Sequence, residues 1–262
     1  MPDIVLTGLP RAGSAVLGAL VDYLPDTLCL NAPAWHLTIA RRLNSALPFG
    51  KWLIGDYAWQ RLQLLKHNPV ADHRAPDGTP LFDGLHEHMR TETPIVRESL
   101  SPDFTLAMRH TTLFTAVLPI ITECMHFRII AVIRNPVDIL LSWQQHPEAQ
   151  VAPGNPHALL NLWPEAHAIA TSPMDELDRL AQMAELFFRR YHALQSHIEI
   201  IKYEDIVTNP ALLCGMFGCD RLPANTVRIA APPMARMADK VEPIRTALRK
   251  YGACMKEFYN EF

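Results

Sequence analysis

The residues best suited to chemistry lie in a glycine-containing loop near the start of the chain. The stretch VLTGLPRAGS places Gly8 and Gly13 five positions apart, between an apolar run and a helical pattern. Glycines at this spacing are typical of loops that bind phosphate, because backbone N–H groups at a helix N-terminus attract anions. In ATP-binding loops a lysine and then a Ser or Thr follow the second glycine, whereas Ser14 and Ala15 follow it here. The loop therefore predicts an anion site in which Arg11 is the nearest cation; a glycine turn without a ligand is the alternative.

A second candidate stretch, RNPVDILLSW, begins at Arg134. Asn135 and Pro136 are residues that commonly start a helix, so capping alone explains them. Arg134 and Ser142 need another explanation. An arginine at the carboxyl end of a parallel strand lies where α/β sheets bind ligands, and an arginine with a hydroxyl suits a phosphate. The alternative is a surface arginine and a serine that faces solvent.

Together the two stretches resemble the nucleotide-binding motifs of PAPS-dependent sulfotransferases; PAPS is 3′-phosphoadenosine 5′-phosphosulfate. TGLPRAGS resembles the motif that binds the 5′-phosphosulfate, and RNPVDILLS resembles the motif that binds the 3′-phosphate. Arg134 and Ser142 are eight residues apart, which is the family's spacing. KYEDIVTNP at 202–210 resembles a third family segment. The resemblance covers residues 3 to about 210.

The resemblance implies the donor-binding residues. Arg11 is expected to bind the bridging and transferring oxygens, and the amides that follow it to bind the 5′-phosphate. Tyr203 is expected to stack on the adenine, because Val16 stands where some family members carry a tryptophan. The implied cofactor-binding set is Arg11, Ala12, Gly13, Ser14, Ala15, Arg134, Ser142, Tyr203, Arg249 and Lys250.

Two positions depart from the family pattern. Ala15 stands where a hydroxyl residue is common, so one phosphate hydrogen bond is expected to be missing. Arg249 and Lys250 are similar to a C-terminal RKG segment that contacts the 3′-phosphate, but Tyr251 interrupts the match.

Sulfuryl transfer needs charge stabilisation, which Arg11 would supply, and a general base near the acceptor. His110 is the preferred base because it ends an apolar run 24 residues before Arg134, as the catalytic histidine does in many sulfotransferases. Arg109 stands where some members carry a basic residue beside the base. The alternative is a hydrogen-bonded histidine at a strand end. Glu98 is the second candidate base, and the weaker ones are His36, Asp83, His86 and Glu87.

No metal site is expected. His86 and His88 form an HxH pair, and Cys214 and Cys219 are close in sequence. Neither pair has partners at the spacing of metal ligands. PAPS, as co-substrate, is therefore the only cofactor that the sequence implies.

Strands that alternate with helices must position these residues. Apolar runs at 3–9, 27–31, 104–110, 127–133 and 197–203 predict strands, and the β-branched runs are typical of strands buried on both faces. Helical patterns follow the first loop and occupy 111–124 and 175–196. The predicted fold is α/β, with a mainly parallel central sheet flanked by helices, similar to the P-loop nucleotide kinases.

The chain is expected to form a single domain over residues 1–262. Two stretches, around 31–100 and 144–174, are expected to be long irregular segments on the substrate side. Both are rich in Pro, His and Trp. The five tryptophans lie in or beside them, where they either line an acceptor pocket or belong to the core.

Composition limits the partners. The net charge of −3 without a long basic run argues against nucleic acid. The sequence has no run of 18 apolar residues, so a membrane span is not expected. Five cysteines without a paired spacing suit reduced thiols, so a cytoplasmic location is expected. The sequence leaves the oligomeric state open, including a homodimer.

The leading hypothesis is a sulfotransferase that moves a sulfuryl group from PAPS to a hydroxyl or amine of a small-molecule acceptor. A P-loop small-molecule kinase is the first alternative, although the lysine is missing. A non-catalytic binding protein that keeps the fold is the second.

Overall fold

A five-stranded sheet forms the centre of the computed structural model, which describes residues 3–74, 91–97, 99–123, 127–146, 161–219 and 238–260. Helices and strands alternate along most of the chain, as the sequence predicts. In chain order the elements are β1 (Asp3–Gly8), α1 (Ser14–Asp22), β2 (Thr27–Asn31), α2 (Ala34–Leu43), α3 (Ala46–Leu65), β3 (Val70–Arg74), β4 (Thr91–Ile95), β5 (Thr105–Arg109), α4 (Thr111–Ile121), β6 (Phe127–Ile133), α5 (Pro136–Gln145), α6 (Pro164–Ala170), α7 (Glu176–Ala193), β7 (Glu199–Lys202), α8 (Tyr203–Thr208), α9 (Leu212–Phe217), α10 (Ala238–Tyr251) and a 3₁₀ turn (Met255–Glu257).

The sheet has the order β2–β5–β1–β6–β7, and all its neighbouring strands are parallel. Val5 at its centre is in register with Met108 on one side and Ile129 on the other. Both faces are covered, so the strands β1, β2 and β5 are buried almost throughout. All five predicted strands are confirmed. The mainly parallel α/β fold is also confirmed.

The start of α5 follows the capping residues of the sequence. Asn135 caps α5 by accepting a hydrogen bond from the Val137 N–H at 2.9 Å, and Pro136 occupies the first turn. The predicted helices at 111–124 and 175–196 are present as α4 and α7. The Asn135 cap therefore fixes where α5 begins, directly after β6.

The expectation of an irregular segment over 31–100 is wrong for much of that stretch. Residues 34–43 and 46–65 are helical, and β3 pairs with β4 in an antiparallel hairpin. Gly50 and Gly55 lower the helix propensity of α3, whereas Pro48 lies in its first turn, where proline is tolerated. Burial of the α3 face that carries Phe49 outweighs that propensity. In the second stretch, α6 begins at Pro164, which puts a helix where an irregular segment was expected.

A buried ion cluster fastens the β3–β4 hairpin to the sheet. The Arg74 guanidinium, 1% exposed, donates to both carboxylate oxygens of Asp22 and to Asp72, each at 2.9 Å. Asp72 also accepts a hydrogen bond from the Asn31 N–H at 2.6 Å, at the end of β2. Buried charges are stable only when paired in this way. The hairpin therefore lies close to the carboxyl edge of the sheet.

Two of the five tryptophans are core residues. Trp143 and Trp163 are 0% and 1% exposed. Among the helices that the structure describes, none is long and apolar enough to cross a membrane.

Candidate active site

The carboxyl ends of the five parallel strands meet at one edge of the sheet. The residues that end or follow these strands there are Asn31, Gly8, Arg109, Arg134 and Tyr203. Parallel α/β sheets bind ligands at this edge, outside the point where the strand order reverses. The topology thus brings together residues that are far apart in sequence.

The loop after β1 has a backbone that only a few residue types adopt readily. Gly8 and Gly13 have φ of 150° and 94°, and Arg11 has φ of 69°. A Cβ at Gly8 would lie 2.4 Å from the Val132 carbonyl oxygen, and one at Gly13 would lie 2.2 Å from the Tyr203 ring. Both positions therefore require glycine, whereas Arg11 holds a left-handed conformation at a cost of roughly 1–2 kcal/mol.

The second motif contacts this loop directly. The Arg134 guanidinium donates to the Arg11 carbonyl at 3.2 Å, and the Arg11 Nε donates to the Ser142 hydroxyl at 3.1 Å. The Trp143 indole N–H donates to the Pro10 carbonyl at 3.0 Å. Two motifs about 120 residues apart are thus joined by three hydrogen bonds. Sequence analysis missed the role of Trp143; its place directly after Ser142 was the available signal.

Tyr203, from the third motif, packs against the loop after β1. Its side chain is 7% exposed, and the Arg134 guanidinium lies 4.9 Å from the ring centroid. Its ring also fills the space beside Gly13. Burial raises the pKa of Tyr203, and Arg134 opposes that rise. Tyr203 therefore packs against the loop and Arg134, and its stacking on adenine stays a prediction.

Glu204 positions the second motif. One carboxylate oxygen accepts a hydrogen bond from the Asn135 N–H at 2.8 Å, and the other accepts from the Tyr259 hydroxyl at 2.9 Å. Burial, followed by the Glu204 carboxylate, raises the pKa of Tyr259. Sequence analysis did not single out Glu204, although it lies within the YED segment. Its contacts explain why an acid follows Tyr203.

Arg109 approaches the loop from β5. It is buried, and it donates to the Asn31 side chain at 3.1 Å and to the Ser14 hydroxyl at 3.4 Å. It reaches Ser14 by passing over Gly18 in α1, where a Cβ would lie 3.2 Å from the Arg109 Cδ. A second guanidinium, besides that of Arg11, therefore lies at the N-terminus of α1. Sequence analysis placed Arg109 only beside the base. Nothing in the sequence shows that Gly18 leaves room for the Arg109 side chain to reach Ser14.

His110 caps α4. Its Nδ1 accepts a hydrogen bond from the Leu113 N–H at 3.4 Å, and its ring lies 6.4 Å from that of His36. A neutral imidazole that accepts at Nδ1 carries its proton on Nε2. In this arrangement Nε2 is a hydrogen-bond donor and cannot accept a proton. A base at Nε2 requires the other tautomer, which breaks the long cap bond.

Arg134 has an open hydrogen-bonding position. Its Nε is buried without a hydrogen-bond partner among the described residues, and the Asp138 carboxylate lies 3.6 Å away. Burial raises the pKa of Asp138, Arg134 opposes that rise and Glu204 adds to it. A buried donor without a partner is costly, so Arg134 is suited to an anionic ligand.

Several predicted residues lie elsewhere or outside the described part. Arg249 and Lys250 are in α10, where Arg249 pairs with Glu242 at 3.1 Å and Lys250 with Asp178 at 2.7 Å. Both thus contact carboxylates of other helices or of their own helix, and neither has a contact with Arg134 or Ser142 among those the structure describes. Five other candidates lie outside the described residues: Glu98, Asp83, His86, Glu87 and His88. Ala12 is buried, and Ala15 is half-buried in α1.

Among the described residues, no group of three or more His, Cys, Asp or Glu side chains could hold a metal ion. Cys214 and Cys219, a pair weighed as metal ligands, are both half-buried.

Comparison with known proteins decides the family. The sulfotransferase domain family matches residues 1–212, which include the loop, the second motif and the YED segment. The chain belongs to this sulfotransferase family. Membership makes it a transferase and supports sulfuryl transfer as its general chemistry. No curated protein matches the sequence significantly.

Solved structures similar to this sulfotransferase are distant in sequence. A sulfotransferase from Alicyclobacillus acidocaldarius is 12% identical, with a TM-score of 0.46 over 100% of this chain and 97% of that one. The sulfotransferase domain of the curacin biosynthetic pathway is 12% identical, with a TM-score of 0.45 over 85% and 76%. That of the Synechococcus PCC 7002 olefin synthase is 14% identical, with a TM-score of 0.44 over 84% and 74%.

Proposed function

We propose that this sulfotransferase moves a sulfuryl group from PAPS to a hydroxyl or amine of a small-molecule acceptor. The observation that carries the proposal is the contact between the two motifs. Arg11 and Arg134 lie on one loop surface, joined through the Arg11 carbonyl and the Ser142 hydroxyl. Two guanidinium groups in one place suit a ligand with two separate phosphate groups.

The residues present fit the donor. The N-terminus of α1 offers backbone N–H groups to a 5′-phosphate, and Gly13 permits a close approach. The Arg134 guanidinium, whose Nε makes no hydrogen bond within the described part of the chain and lies 3.6 Å from Asp138, would donate to a 3′-phosphate, and Ser142 still has a hydroxyl proton to give. The carboxylates of Asp138 and Glu204 lie close to Arg134, and they oppose a third negative charge there. The grip on the 3′-phosphate therefore depends on both Arg134 and Ser142.

In the proposed reaction the acceptor oxygen or nitrogen attacks sulfur in line with the departing phosphate. Arg11 stabilises charge on the transferring and bridging oxygens, and Arg109, beside Ser14, adds positive charge to the same end of α1. His110 takes the acceptor proton at Nε2 after its cap bond to Leu113 is released. Because that bond is 3.4 Å long, we expect its release to cost little. Glu98 remains the second candidate base.

A P-loop kinase and a non-catalytic binding protein are the competing functions. Ser14 stands where the ATP-binding lysine would be, and the nearest guanidinium groups come instead from Arg11 and Arg109. A kinase would bind MgATP more tightly than 3′,5′-ADP. A non-catalytic descendant would bind 3′,5′-ADP but transfer no sulfuryl group to any member of a broad acceptor panel.

Calorimetry with 3′,5′-ADP tests the proposal. The protein should bind this product without Mg²⁺, and Arg134→Ala should weaken binding by roughly 1.5–3 kcal/mol, the value of a charged hydrogen bond. Arg245→Ala is the matched control, because Arg245 is a half-exposed arginine in α10 that pairs with Glu242. Absence of 3′,5′-ADP binding, or an equal loss in both variants, would contradict the proposed donor site.

A further inference from the structure

An aromatic cavity opens between α2 and α3, and His36, which packs on two of its tryptophans, lies 6.4 Å from His110. It has a volume of about 450 Å³, and its lining includes Trp35, Trp52, Trp59, Asp56 and Gln60. This volume is within the range of small-molecule sites, roughly 300–1,000 Å³. Three indoles therefore surround one space.

Asp56 gives the cavity a negative charge. It is the only charged residue in the lining of this cavity, which contains no Lys or Arg. Oδ2 accepts hydrogen bonds from the Trp35 indole at 3.1 Å and from His36 at 3.0 Å, whereas Oδ1 accepts one from Gln60 at 2.9 Å. Burial lowers the pKa of His36, which favours the neutral ring, so His36 does not cancel the charge of the carboxylate.

The indole faces are held in position. The His36 ring, fully buried, packs edge-on against Trp35 at 5.5 Å and against Trp52 at 5.6 Å. Trp59 is 58% exposed at the opening of the cavity. A cation over an indole face gains about 0.5–2 kcal/mol, depending on how far it is desolvated. The cavity thus combines fixed aromatic walls with a single counter-charge.

We propose that this cavity binds an organic cation, such as a quaternary ammonium group with an apolar body, between the tryptophans and Asp56. A neutral apolar ligand would gain nothing from the carboxylate, and an anion would be repelled by it. The site does not depend on sulfuryl transfer.

Titration with benzyltrimethylammonium, followed by calorimetry on the full chain without nucleotide, tests the site. Benzyl alcohol and benzoate are the neutral and anionic controls. We expect the cation to bind about tenfold more tightly than benzyl alcohol, since one cation–indole contact alone is worth several-fold. Benzoate should show no binding. Binding of 3′,5′-ADP, measured separately, reports the donor site independently of this one.

Three variants assign the binding to the cavity. Trp59→Ala should weaken it about fivefold, and Asp56→Asn should remove the preference for the cation. Gly55→Leu should block the cavity while the protein stays folded, because no atom lies within 4 Å of a Cβ at Gly55. Leu62→Ala is the control: it is an exposed α3 residue outside the lining.

Two outcomes would overturn the proposal. One is equal affinity for the cation and for benzyl alcohol. The other is cation binding that is unchanged in both Trp59→Ala and Gly55→Leu, which would place it elsewhere on the protein.

Discussion

Replacing Gly18 by alanine tests whether Arg109 serves the donor site. Gly18 lies in the interior of α1, where the added methyl would lie 3.1 Å from the Asn31 Oδ1, 3.2 Å from the Arg109 Cδ and 3.3 Å from the Cys29 Sγ. Carbon atoms in good contact lie about 3.5–4.0 Å apart. The neighbouring side chains must therefore move by a few tenths of an ångström. Arg109 is affected most directly, because its bond to Ser14 is already 3.4 Å long.

The effects on stability and on binding should separate. Gly→Ala inside a helix stabilises by about 0.5–1 kcal/mol, which offsets part of the crowding. We therefore expect the free energy of unfolding to change by no more than about 1 kcal/mol. Loss of the hydrogen bond that Arg109 donates to Ser14 should weaken binding of PAPS by about 1.5 kcal/mol, or roughly tenfold.

Urea denaturation and calorimetry with PAPS and 3′,5′-ADP measure the two effects. Gly215→Ala is the matched control, because Gly215 lies inside α9 and no atom lies within 4 Å of its would-be Cβ. It should leave nucleotide binding unchanged. Arg109→Lys is the second variant; it keeps the charge but cannot contact both Asn31 and Ser14. Wild-type affinity and turnover in both Gly18→Ala and Arg109→Lys would refute a role for Arg109 at the site.

Three further changes test other parts of the site. His110→Asn keeps an N-cap acceptor and should lose about 10²–10⁴ in kcat without losing stability, whereas His110→Ala should also lose about 1 kcal/mol; an active Asn variant would exclude His110 as the base. Trp143→Phe leaves the buried Pro10 carbonyl unpaired and should cost about 1–3 kcal/mol in thermal unfolding, together with a loss of 3′,5′-ADP affinity. Because burial lowers the pKa of His36, the unfolded chain binds a proton that the native state does not, and native stability falls below about pH 6.5. His36→Gln should reduce that fall by up to about 1.4 kcal/mol per pH unit; an equal effect of the exposed His197→Gln would argue against this cause.

The strands were predictable because each is a short apolar run, and burial on both faces leaves that pattern in any sequence. Helix α3 was not predicted. Its buried residues Phe49, Leu53 and Tyr57 have helical spacing, but Gly50 and Gly55 interrupt the local propensity. Tertiary packing makes α3 helical, and helix propensity alone does not predict it.

The site was predictable as a set of motifs but not as a set of contacts. Arg11 was expected to bind the transferring and bridging oxygens, and Arg134 and Ser142 the 3′-phosphate. What the structure shows is that Arg11 contacts both Arg134 and Ser142. The approach of Arg109 to Ser14 depends on β5 lying beside β1, with α1 packed across both strands. Such a contact follows from strand order, which no local pattern in the sequence specifies.

The contacts between the motifs explain how the loop keeps its shape. Arg11 has a left-handed backbone that costs roughly 1–2 kcal/mol. The hydrogen bonds to its carbonyl and to its Nε, at 3.2 and 3.1 Å, offset that cost without a ligand. The Trp143 bond to Pro10 holds the preceding residue. A loop ordered in advance spends little of its binding free energy on ordering, which favours affinity for the donor. The same bonds occupy Arg134 and Ser142 in part, so under the proposed function these two side chains would exchange them for bonds to the donor, while the Trp143 bond still holds Pro10. Under the proposed function, a ligand with two phosphate groups would replace both the Arg134 bond to Arg11 and the Arg11 bond to Ser142.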